Sequence, residues 1–515
     1  MKSINYILII CGLSLLGCKK NIDLYPQSNL NTGTYYSTGA EVSTALTGCY
    51  SGLQKTMVDE WTLTELRSDN AVMGNQGSTS TVNRDLSDLD MFFPNTAHAG
   101  LYNYWLNTYY NIRNLNLVLN SLAIDYDPAA GTIGMGTVAI PVQESDRKKM
   151  AAEACFLRAY HYFNLVRLYG AVFLVHEPLA PLDALDMNRS TLADIYKLIE
   201  ADLNFAAANG PTARFSSIPA VDLGRANSWS AKALLAKVYL TENKKSDAKT
   251  LLQDIITNSG YSLQASYANV FATTSEMNSE ILFAVRYKAG GLGLGSPFPN
   301  LFAPLNSGSA VVNGDGSGYN YPTSELNSLY TAADLRKAVT IGVYGSGSSA
   351  KLYPKKHITA VAVAKDGEND WTVIRYADVL LMMAEADGNT TNSLNMINLT
   401  RARAGLTALT AANVSSVDQF ELALATERRL EFAFENQRWF DMLRFNTTMT
   451  TQPVVPLIKA HFANIYSTHY LLYPVPRLTL AEMQAFVTTD RLLLPIPQRE
   501  IDNNTRLVIP QNPGY

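Results

Sequence analysis

Catalysis needs particular residues at particular spacings, and none of the familiar sets is present. The 515-residue chain carries no H-E-x-x-H, C-x-x-C, G-x-S-x-G or phosphate-loop pattern. Its histidines, His98, His161, His176, His357, His461 and His469, show no metal-ligand spacing. Glycoside hydrolysis asks for only two carboxylates, and Asp85, Asp88 and Asp90 form the densest acidic cluster. They read as a solvated loop, with a cation site or an acid/base pair as the alternative. The expectation is no enzyme and no cofactor, a structural cation aside.

Binding chemistry is better supplied. Sugars present apolar ring faces edged by hydroxyls, and aromatic platforms with Asn, Asp and Arg side chains hold them. Two stretches carry both kinds of group. Trp61 to Phe93 contains Arg67, Asp69, Asn70, Asn75, Arg84 and Phe92. Phe298 to Tyr321 contains Asn313, Asp315, Tyr319 and Tyr321. The same aromatic loops would also serve an extended peptide, so the ligand class stays open between the two.

Composition bounds the rest. The chain is 47% hydrophobic and 17% charged with a net charge of −4, enough apolar residue for a large core and no basic excess for nucleic acid. It has 28 tyrosines, each a flat apolar face with a polar tip. Near the N-terminus, Lys2 precedes an almost wholly apolar run from Ile4 to Leu16, too short to span a bilayer. Leu15-Leu16-Gly17-Cys18 follows and resembles a bacterial lipobox, with Leu16 bulkier than the small residue often found there. Residues 1–17 are expected to be a lipoprotein signal peptide, Cys18 the lipid-bearing residue, and 18–31 a tether. Cys49 and Cys155, the cysteines that then remain, lie on apolar helix faces and read as buried thiols, their pairing left open.

Most of the chain that must position these groups reads as helix. Thr38-x-x-Glu41 is a capping box that opens a helix with Val42, Leu46, Cys49 and Leu53 on one face. Residues 62–99 have weak periodicity and are expected to be mostly loop. Helices are expected over Leu101–Leu122 (with Trp105 in the core), over the segment that Gly170 ends, and from Thr191 onward. SWSAKALLAKVYLTEN and SDAKTLLQDIITNSGY then form an antiparallel hairpin. Residues 286–371 are rich in Gly, Ser, Asn and Pro, a long aromatic-bearing insertion. The expected architecture is mostly α: tetratricopeptide-like hairpins in one compact domain over 32–515, with ligand-face loops around 60–99 and 286–371 and little β-structure.

The strongest pattern is Glu427 to Phe445, ERRLEFAFENQRWFDMLRF. It reads as one amphipathic helix with Arg428–Glu431, Glu435–Arg438 and Asp441–Arg444 as three-residue neighbours. This stretch resembles the signature helix of the SusD/RagB family, with Asn436 where Gly is usual. Further matches are Trp105, Tyr109, Ile112 and Asn116; the run EACFLRAYHYFNLVRLYG; IRYADVLLMMAEA, with Asp378 where Glu is common; NLTRARAGL; and the terminal QNPGY. The resemblance implies a lipoprotein on the outer membrane, facing the cell surface. It would hand an oligosaccharide to a SusC-like TonB-dependent transporter. Its ligand face would be built from loops in the two regions above, placing Trp61, Arg67, Asp69, Asn70, Asn75, Arg84, Phe298, Tyr319 and Tyr321 as candidate contacts. A peptide binder on the same fold and a scaffold without ligand are the alternatives.

Overall fold

The computed structural model describes residues 35–74, 81–473 and 478–515. Cys18, the leader, the tether and Asn75 lie outside the described residues. Helix α1 (Gly39–Thr64) starts at the expected capping box: Thr38 accepts the Glu41 N–H, and the Glu41 carboxylate accepts the Thr38 N–H at 2.9 Å. After it come α2 (Thr81–Asp90), α3 (Ala99–Ser121), α4 (Glu144–Tyr169), α5 (Leu192–Asn209), α6 (Ser228–Thr241) and α7 (Lys245–Asn258). The later long helices are α8 (Tyr376–Asp387), α9 (Thr391–Arg403), α10 (Val417–Glu431) and α11 (Arg438–Thr448).

From α3 to α9 each helix lies against the next, and α1 packs beside α3. This is the tetratricopeptide-like array expected from the sequence. Helix α4 sits at its centre, buried on every side from Met150 to Val166. A helix with no polar face belongs inside a layer of others. Trp105 packs there against Tyr109, Tyr169 and Phe173. Cys49 and Cys155 are buried free thiols, and burial pushes Cys49 up to about 12. No helix among the described residues is long and apolar enough to cross a membrane.

Short strands pin the insertions. β2 (Ile124–Asp127) pairs with β3 (Thr132–Met135), and β6 (Ile341–Tyr344) with β7 (Lys351–Pro354). β4 (Ile281–Val285) pairs antiparallel with β8 (Trp371–Arg375), Val285 opposite Trp371. That pair closes the base of the 286–371 insertion, so the long excursion leaves and re-enters the array at one point. β1 (Ala71–Val72) pairs with β5 (Tyr321–Pro322).

Two expectations are corrected. Residues 62–99 are not loop alone: α2 forms because Leu86 and Leu89, three residues apart, bury one helical face. Nor is Glu427–Phe445 one helix. It breaks after Glu431, with Phe434 at φ 64° and Asn436 at φ 58°. Of the three expected neighbour pairs only Asp441–Arg444 forms, at 2.6 Å. Glu431 instead meets Arg375 at 2.6 Å, Arg336 at 3.0 Å and Arg403. Glu435 meets Arg375 at 2.8 Å and Lys356 at 2.7 Å. The break lets Glu431 and Glu435, four residues apart, share Arg375 and still reach different further cations, Arg336 and Arg403 for one and Lys356 for the other. The turn between α10 and α11 is thereby locked on several sides.

Candidate functional site

The two stretches singled out by their chemistry meet. The β1–β5 ladder sets Val72 opposite Tyr321 and Ala71 opposite Pro322. The Tyr319 hydroxyl donates to Asn83 Oδ1 at 2.8 Å, joining the 286–371 insertion to α2. The Tyr321 hydroxyl accepts the Leu305 N–H at 3.1 Å. Gly74 makes the approach feasible: a Cβ there would lie 2.4 Å from the Tyr321 ring and from the Gly318 carbonyl. Tyr319 and Tyr321 are half-buried, and burial raises both phenols, Tyr321 to about 12. Both rings are therefore neutral at any physiological pH. Between them Asn320 is buried at φ 58°, its amide nitrogen and oxygen without a partner among the described residues. Arg84 follows Asn83 on α2, its side chain 65% exposed and 3.6 Å from Asp85.

Other candidates lie under this face rather than on it. Trp61 is 1% exposed, edge-on to Phe302 at 5.0 Å and stacked beneath Tyr319 at 6.3 Å. Phe298 is fully buried among Trp371, Phe302 and Tyr287. The Arg67 guanidinium is held between the rings of Phe92 and Trp439, 4.7 and 4.6 Å from their centroids, and donates to the Arg491 carbonyl. Asp69 pairs with Arg438 at 2.7 Å and Arg429 at 3.0 Å. Burial alone would raise its carboxyl, but these two cations outweigh burial and hold it well below the usual range. Asn70 accepts from Arg429 at 2.7 Å. As surface contacts these five are corrected: aromatic rings of the insertion and β8 cover Trp61 and Phe298, while α10 and α11 bring Trp439 to Arg67 and arginines to Asp69 and Asn70.

The loop is shaped by Asn313, which donates to the Ala362 carbonyl, and by Asp315, which accepts the Gly308 and Gly316 N–H groups. Asn83 was not foreseen. Its signal was helical: Asn83 and Ser87 lie four apart on α2, on the side that Leu86 buries.

The three acidic residues do not converge. Asp90 turns inward, accepting the Met73 N–H at 2.9 Å and the Tyr470 hydroxyl at 2.9 Å. Asp88 is raised to about 6 by burial and by Asp85. No group of three His, Cys, Asp or Glu among the described residues is arranged to hold a metal.

Two family models match the chain. The SusD family model covers residues 335–515, and a second, described as starch-binding associating with outer membrane, covers residues 22–240. SusD-like protein P2 of Formosa agariphila is 25% identical over the full length of both chains. A SusD-like protein of Bacteroides ovatus is 29% identical over 59% of this chain and 60% of its own. Among solved structures, a laminarin binding SusD-like protein superposes with a TM-score of 0.72 at 24% identity, covering 93% of this chain and 100% of that one. Surface glycan-binding protein A from Bacteroides thetaiotaomicron, in complex with laminarihexaose, gives 0.70 at 19% identity, covering 92% and 99%. The motifs from Trp105 to Tyr515, the helical array and both models agree: the chain belongs to the SusD family.

Proposed function

We propose that this protein is a surface nutrient-binding lipoprotein that captures an oligosaccharide on the Tyr319–Tyr321 face. It then delivers the sugar to a SusC-like TonB-dependent transporter in the outer membrane. Cys18 carries the lipid, and no bond in the sugar is made or broken. The observation that carries this reading is the joining of the two loop stretches by the β1–β5 ladder and the Tyr319–Asn83 bond. Together they bring two half-buried phenol rings and the buried unpartnered Asn320 amide to one place, and the exposed Arg84 follows Asn83 on α2. Rings give the stacking surface, and the polar groups reach hydroxyls. Relatives of the same fold that bind laminarin or laminarihexaose support a glycan over a peptide.

The test is calorimetric titration of the chain, produced in cells fed labelled palmitate, against hexasaccharides and peptides. Saturable binding of one glycan class is expected, with sugar recovered intact and label on Cys18. Changing Tyr319 and Tyr321 to Ala should weaken binding by about tenfold or more, the equivalent of about 1.4 kcal/mol. Silence across the panel, a peptide as the better ligand, or release of shorter sugars would each sink the reading.

A further inference from the structure

A cleft of about 370 Å³ opens between the middle of α1, the middle of α3 and the segment after β4 that contains Leu294. Its lining includes neither Tyr319, Asn320 nor Tyr321, and along α1 it runs from Gly48 to Val58, roughly 20 to 5 Å before Trp61. Helix α3 contributes Asn107, Tyr110, Asn111 and Asn114, whose three- and four-residue steps set them on one side of the helix. Helix α1 faces them with Gly48, Ser51 and Gly52. A Cβ on Gly52 would lie 2.4 Å from Asn111 Oδ1, so α1 and α3 approach this closely at the cleft floor only because that position has no side chain.

The lining has a recognisable chemistry. Tyr110 is 58% exposed, a large ring left in water on a helix whose other aromatics are mostly packed, and Val58 and Leu294 flank the opening. Asn111 donates to the Cys49 carbonyl at 3.0 Å and bonds His161 at 2.8 Å, which fixes its amide in place. Its Oδ1 and the Tyr287 hydroxyl are buried along the cleft without partners among the described residues. Lys55 is the one charged side chain in the lining. An anion would need more cations. A peptide added as a strand would need a free strand edge, and here two helices form the walls. A neutral chain of hydroxyls beside a ring fits the amide row.

We infer that this cleft is a second carbohydrate site, separate from the tyrosine face, in which Tyr110 stacks on a sugar ring and Asn107 and Asn114 bond its hydroxyls. It rests on the glycan reading above and adds a second point of attachment on one protein. Two sites on a rigid body raise the effective concentration of a long chain at each.

The probes are laminarihexaose, cellohexaose, maltohexaose and mannohexaose, titrated into detergent-solubilised full chain. Gly48→Trp fills the cleft without strain, because a Cβ there meets nothing within 4 Å. For the hexasaccharide that wild type binds, Gly48→Trp and Tyr110→Ala are each expected to lower stoichiometry by one site or affinity at least fivefold, with unchanged melting. Combined with Tyr319→Ala and Tyr321→Ala, either should abolish binding. Unchanged stoichiometry and affinity in Gly48→Trp overturn the cleft and leave the tyrosine face standing. Full binding by the tyrosine variant, lost in Gly48→Trp, keeps the cleft and removes the face. A wild type that takes none of the four sugars overturns both.

Discussion

Glu431 and Arg84 are both charged residues in aromatic-rich stretches, yet they live in different media. Glu431 is fully buried against Arg336, Arg375 and Arg403, while Arg84 is 65% exposed beside Asp85. Burial by itself would raise the Glu431 carboxyl, but the three arginines outweigh it and hold the group well below the usual range. The scaffold thus spends its charge inside, locking α10 to the insertion. The Tyr319–Tyr321 face instead presents half-buried neutral phenols. The sharpest way to break this contrast is to delete both charges. Glu431→Ala leaves three arginines facing one another in the interior and should cost about 3–5 kcal/mol, read as loss of soluble protein or a collapsed melting temperature. Arg84→Ala should change stability by less than about 0.5 kcal/mol. Similar effects from the two would mean the charges are not divided as described.

The helical array was legible because its signals are local. Three-residue spacing, the Thr38–Glu41 box and Gly170 all act within one or two turns. The burial of Arg67 and Asp69 was not legible, because Trp439, Arg429 and Arg438 reach them from more than 350 residues downstream. Nothing near Asp69 distinguishes a carboxylate that binds ligand from one that anchors a helix. The site was legible by region: the two loops were found by composition, and their union at β1–β5 was not, since a two-residue ladder leaves no periodicity. Asn436 shows the same limit. Its helical surroundings hide a residue in the left-handed region, and only comparison with the Gly usual in the family pattern pointed to it.

That position sharpens the contrast on a smaller scale. At φ 58° Asn436 donates its backbone N–H to Glu65 at 2.6 Å, and its amide lies 3.4 Å from Glu60. A left-handed L residue without Asn's local bonding costs about 1–2 kcal/mol. Asn436→Ala should therefore destabilise by about 1–2 kcal/mol. Asn436→Gly removes the backbone strain and loses only two long contacts, so its cost should stay under about 1 kcal/mol. Thermal melts of the two variants give the order. Ala equal to or better than Gly would show that the left-handed backbone does not set this position.

Glu65 departs from the pattern of interior carboxylates held by arginines, and its effect shows only as pH changes. Burial pushes it up to about 8; the Asn436 N–H and Lys356 pull the other way without overcoming burial. Unfolded, its pKa is near 4.5. A group raised on folding holds its proton in the native state after the unfolded chain has released it. Its contribution is intact below pH 4.5 and declines as pH rises toward 8. Glu65→Gln keeps the oxygen that accepts from Asn436 and cannot ionise, so it escapes that decline. Melting of wild type and Glu65→Gln should nearly coincide at pH 4.5, with the variant ahead at pH 8 by about 1–3 kcal/mol. Asp69 and Glu431, held low by their arginines, move the other way and weaken the fold only as pH falls below about 4. A gap between the two proteins that is constant across this range would mean Glu65 is ionised in the fold, and that its charge is matched like the rest.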